Sequence, residues 1–137
     1  MQELKVLQIK KLGFDVSEKG RNGERFISMQ SVPAKDIVIK MLRVLTFEDW
    51  ICFWDSFHTS VTDPGGYVSA YMLDKNRAVY KEGNHGWSSD FEVVSVEDLA
   101  ELMIKNWDKD CDGGMYLNRI QIGRHYDPQR DMYLYNL

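Results

Sequence analysis

The chain has 137 residues, 44% of them apolar and 28% charged, the balance of an ordinary globular domain long enough to bury a sizeable core. No window approaches the roughly 18 apolar residues that cross a bilayer, and the charged start Met1-Gln2-Glu3-Leu4-Lys5 does not read as a secretory leader. Two cysteines, Cys52 and Cys111, are too few for a disulfide framework, so a reducing cytoplasm is the expected compartment.

Leu4 to Val16 has a mixed period. Leu12, Phe14 and Val16 alternate with polar or small residues, as a strand does, while residues 3–11 also fit a short helix. The run Glu18-Lys19-Gly20-Arg21-Asn22-Gly23 supplies a reversal, because Asn-Gly tolerates positive φ. Arg25 to Met29 then reads as a returning strand, giving an N-terminal hairpin from about Gly13 to Gln30.

Ser31-Val32-Pro33 opens a helix, and Ile37, Val38, Met41, Leu42 and Leu45 recur at helical spacing. Thr46-Phe47-Glu48-Asp49 resembles a second helix start. Phe47, Trp50, Ile51, Trp54 and Phe57 then fall on one helical face, so an αα-hairpin with these aromatics in the core is predicted. Asp63-Pro64-Gly65-Gly66 ends it. A central meander follows: Tyr67–Leu73, a turn at Asp74–Arg77, Ala78–Tyr80, and Phe91–Val94.

Ser95-Val96-Glu97-Asp98 caps a further helix whose buried stripe is Leu99, Leu102, Met103 and Trp107. Gly113-Gly114 releases the chain into a strand at Met115–Ile122. A reversal at Tyr126–Asp131 leads to a last strand, Met132–Leu137, closing a C-terminal hairpin. The expectation is one α+β domain over residues 1–137, a mainly antiparallel sheet packed against three or four helices.

Asp108, Asp110 and Asp112, followed by Gly113, begin as a calcium loop begins, with carboxylates at alternate positions before a glycine. The bidentate Glu of the twelfth position is missing. Arg119 stands there, and its cation opposes a metal, so Ca2+ is disfavoured and no cofactor is expected. The other reading of the triplet is a fraying helix end with solvated acids.

His85 lies in the glycine-flanked loop Gly83-Asn84-His85-Gly86, and His125 in Arg124-His125-Tyr126-Asp127. Imidazoles titrate near neutrality, so His85 and His125 are the residues for a hydrolase or nuclease alternative, with or without a metal at the aspartates. No zinc spacing, phosphate loop or nucleophile elbow accompanies them.

Charge is unevenly spread within the net −4. Residues 46–112 hold fourteen acidic and five basic residues, whereas 1–45 hold nine basic and five acidic. An acidic block of that length repels phosphate backbones, which argues against nucleic acid, and attracts cationic partners. Tyrosine beside charge is also what protein interfaces favour. The reading is a small acidic binding protein that engages and inhibits a basic partner protein through Asp74, Tyr80, Trp87, Asp90 and Glu92. Toxin-neutralising and counter-defence proteins share this size and sign, a comparison from physics alone. No membrane association is expected, and self-association is left open by the surplus tyrosines.

Overall fold

The computed structural model describes residues 2–18, 25, 27–28, 32–59, 64–84, 87–88, 90–105, 118–121, 124–127 and 132–135. The first helix, α1, is Gln2–Lys11, with Glu3 in its first turn and Lys10 and Lys11 in its last, the arrangement the helix dipole favours. Val6 and Ile9 are buried while Leu4 and Leu7 stay exposed. Gly13 ends the helix with φ near 100°, a left-handed value that glycine adopts without Cβ strain. Short strands β1 (Asp15–Val16) and β2 (Ile27–Ser28) then pair antiparallel, Val16 opposite Ile27. The mixed period of the first segment is thus resolved as a helix followed by a strand.

Helix α2 is Lys35–Val44, entered through extended Ala34, and it buries Val38, Met41 and Leu42 completely. The turn after it carries the expected capping bonds. Thr46 N–H donates to Asp49 Oδ2 at 2.9 Å, Glu48 N–H to Thr46 Oγ1 at 3.3 Å, and Asp49 N–H to the Thr46 carbonyl at 3.0 Å.

No helix grows from that turn. Strand β3, Trp50–Thr59, replaces the predicted second arm of the αα-hairpin. The run is dominated by aromatic and β-branched residues, which lose χ1 freedom in a helix and fit a pleated surface. Strands on both sides then satisfy its backbone, β4 (Pro64–Met72) on one and β8 (Asn118–Gln121) on the other. Aromatics at i, i+3 and i+4 imitated a helical face. Phe47, expected in the core, sits on the turn and is 54% exposed.

The turn Asp74–Asn76 carries β4 into β5 (Arg77–Asn84), which reaches four residues past the predicted end at Tyr80. Strand β6 (Trp87–Ser88) pairs with the far end of β5, and β7 (Glu92–Ser95) with its near end. Among the described residues the main sheet is antiparallel and runs β6-β5-β4-β3-β8, with β7 beside β6 on the outer flank of β5. Strands β9 (Arg124–Asp127) and β10 (Met132–Tyr135) pair separately, so the predicted Met115–Ile122 strand contributes β8 to the main sheet instead.

Helix α3, Val96–Lys105, starts where Ser95 Oγ accepts the Asp98 N–H at 3.1 Å. Leu99 and Met103 are buried as expected, together with Val96 and Ala100; Trp107 lies outside the described residues. Lys35 pairs with Glu101 and Arg43 with Glu97, so α2 and α3 lie antiparallel. These exposed pairs orient the helices while contributing under about 1 kcal/mol each. Helices and hairpin cover one face of the sheet, where Ile51, Val68, Ala70, Met72 and Ala78 join Ile9, Phe14, Ile27, Met41, Leu42, Leu99 and Met103 in one core.

Candidate functional site

Strand pairing decides which of the sequence-predicted binding residues meet. Tyr80 on β5 stands opposite Glu92 on β7, so both project to the same face, and the Tyr80 hydroxyl donates to Glu92 Oε2 at 3.4 Å. Glu82, two residues along β5, shares that face and adds a second carboxylate. Burial of the ring, then the charges of Glu92 and Glu82, hold the Tyr80 phenol above its ordinary pKa of 10.0. Asp90 is exposed in the segment leading into β7, and Trp87 lies on β6 at the same flank of β5. Four of the five named positions therefore fall along one end of the sheet.

Asp74 does not join them. Its Oδ1 accepts the N–H groups of Asn76 at 2.8 Å and Arg77 at 2.9 Å, while Oδ2 takes the Arg77 guanidinium at 2.9 and 3.0 Å. These bonds, led by the Asn76 N–H, hold its carboxyl below the usual range. Asp74 is a turn residue whose charge is already matched.

The opposite face of the same strands has its own set. Tyr71, Val79 and Val93 stand in one row across β4, β5 and β7, and Ser69 faces Lys81 in the next. The Lys81 ammonium lies 5.2 Å from the centre of the Phe91 ring, whose centre is 6.4 Å from that of Tyr71. Lys81 is only 7% exposed, while Val93 at the rim is 61% exposed.

Sequence reasoning missed Glu82, Phe91 and Val93. The alternation Tyr80-Lys81-Glu82 was available as a signal, but β5 had been expected to stop at Tyr80. His85 and the triplet Asp108, Asp110 and Asp112 lie outside the described residues. His125 is on β9 opposite Leu134. Among the described residues no three His, Cys, Asp or Glu side chains gather as a metal site would need. Among the described residues, Asp98, Glu101, Leu102, Ile104 and Lys105 line an open depression on α3. No described helix is long and apolar enough to cross a membrane.

No family model matches the chain, and neither a curated protein nor a solved structure matches it.

Proposed function

We propose that the protein is a small intracellular binding protein that engages a basic partner protein, and inhibits it by covering the surface it contacts. The observation that carries this reading is Tyr80 opposite and bonded to Glu92, with Glu82 on the same strand face and Asp90 exposed just before β7. A tyrosine flanked by carboxylates suits an Arg or Lys side chain. The ring offers its π face, the carboxylates neutralise the charge, and guanidinium can take two parallel hydrogen bonds. The wider excess of acid over residues 46–112 would draw a cationic partner in by long-range attraction.

The test is affinity capture from extracts of the source cells with wild-type chain and the Glu82→Lys, Glu92→Lys double variant. Wild type should retain a stoichiometric basic protein at low salt, the variant should lose it, and association of the purified pair should slow as salt rises. Inhibition would then be read on that partner's own activity. A partner held equally by both forms, or with no dependence on salt, would overturn the reading.

A further inference from the structure

We propose that the outer edge of β7 accepts an extended cationic segment of the partner as an added β-strand. The inference rests on the binding reading above and names how contact is made. Strand β7 pairs with β5 through Arg77↔Ser95 to Tyr80↔Glu92 and with no other described strand, so it closes one side of the main sheet. A strand in that position presents N–H and C=O groups along its free side, and an incoming strand satisfies them.

Natural edges are commonly blunted by Lys, Pro or a bulge, and Phe91-Glu92-Val93-Val94-Ser95 contains neither residue. Val93, at 61% exposure, leaves an apolar side chain at the rim. The charge there is negative: Glu92 lies on the strand, Asp90 before it, and Asp98 in the first turn of α3, beside Glu97, which pairs with Arg43 at 3.9 Å. Of the two cations on β5, Arg77 is occupied by Asp74 at 2.9 Å, and Lys81 is 7% exposed on the face opposite Glu92, with its ammonium over the Phe91 ring. A second copy of the chain would bring one acidic edge onto another, which disfavours self-pairing.

The alternation of a strand fixes the chemistry of the incoming segment. On one face of the added strand a side chain stands directly beside Glu92, with Tyr80 and Glu82 one strand further in on β5, and should be cationic. Its neighbours on the other face stand beside Val93, with Val79 one strand further in, and should be apolar. A segment of alternating Lys or Arg and Val or Ile satisfies both.

The probes are two ten-residue synthetic peptides, alternating Lys-Val and alternating Glu-Val, added to the full chain at low salt. Peptide binding is followed by fluorescence anisotropy, and amide hydrogen exchange is read residue by residue. The Lys-Val peptide should slow exchange at least tenfold for those amides of Glu92–Ser95 that do not donate to β5. The Glu-Val peptide should have no effect, and Glu92→Lys should abolish the protection. Binding of the Lys-Val peptide with β7 exchange unchanged would overturn strand addition while leaving the acidic-surface reading in place. Binding of neither peptide would overturn both, and equal protection by the Glu-Val peptide would overturn the selection for cations.

Discussion

Tyr80 and Glu92 face each other across the β5–β7 pairing, and the tyrosine hydroxyl donates to Glu92 Oε2 at 3.4 Å. The phenol is half-buried against the core and has Glu82 on the same strand face, so a phenolate formed there would lose solvation and meet two negative charges. Ionisation at Tyr80 is therefore opposed by its whole setting.

The folded pKa of Tyr80 is raised, so its contribution to stability is complete below the unfolded value of about 10 and disappears as pH rises through the folded value. The difference in phenolate absorbance between wild type and Tyr80→Phe should isolate one group titrating above the ordinary tyrosine range. Glu92→Gln should bring that titration down part of the way, since burial, the larger cause, remains. A Tyr80 that titrates at or below the ordinary value would contradict the packing described.

Asp74 has the opposite sign. Its folded pKa is lowered below 3.8 by bonds to Asn76 and Arg77, so its contribution is present above that value and is lost as pH falls through the folded pKa. Asp74→Ala should lower the thermal midpoint at neutral pH, and the gap to wild type should narrow as acidification protonates the wild-type carboxyl too. A gap independent of pH would mean that the turn does not use the carboxylate.

Asp49 is fully buried and takes the Lys5 ammonium at 2.8 Å and the Thr46 N–H at 2.9 Å, which ties α1 to the turn before β3. Lys5→Met would remove this cation from beside a buried carboxylate. Loss of one partner of a buried pair costs roughly 3–5 kcal/mol, and the low end applies because the Lys5 side chain is 14% exposed. Denaturant unfolding of Lys5→Met, Asp49→Ala and the double variant should give a coupling above about 1 kcal/mol. Additive effects would show that the two groups do not depend on each other.

Local signals were legible where one element dictated them. The stripes Val38-Met41-Leu42 and Leu99-Met103, the Ser95 cap and the Asp74–Arg77 turn each depend on neighbours within a few positions, and each appears where the residues put it. Tyr80 and Glu92 could be named singly as candidates. Their juxtaposition could not, because it depends on the register between β5 and β7, and Glu82 joined them only once β5 ran beyond Tyr80. The same lack of non-local information hid β3, whose ladder partners lie at Gly66–Ala70 and Asn118–Gln121. The mixed α+β class survived that error, since exchanging one helix for one strand left both layers in place.

Two residues from the misread run separate strand from helix experimentally. In the helical reading Phe47 and Ile51 share one buried face, so truncation of either should be costly. In the structure Ile51 is fully buried on β3 opposite Ala70, whereas Phe47 is 54% exposed on the preceding turn. Ile51→Ala removes three buried carbons from a close-packed core and should cost about 2–5 kcal/mol in denaturant unfolding. Phe47→Ser should stay within roughly 0.5–1 kcal/mol, as substitutions at exposed positions do. Thr46→Ala adds a control: Thr46 Oγ1 accepts from the Glu48 N–H at 3.3 Å and the Lys5 ammonium at 3.2 Å, so its loss should cost about 1 kcal/mol. Comparable losses from Phe47→Ser and Ile51→Ala would restore the helical face; a large difference between them places the run in the sheet.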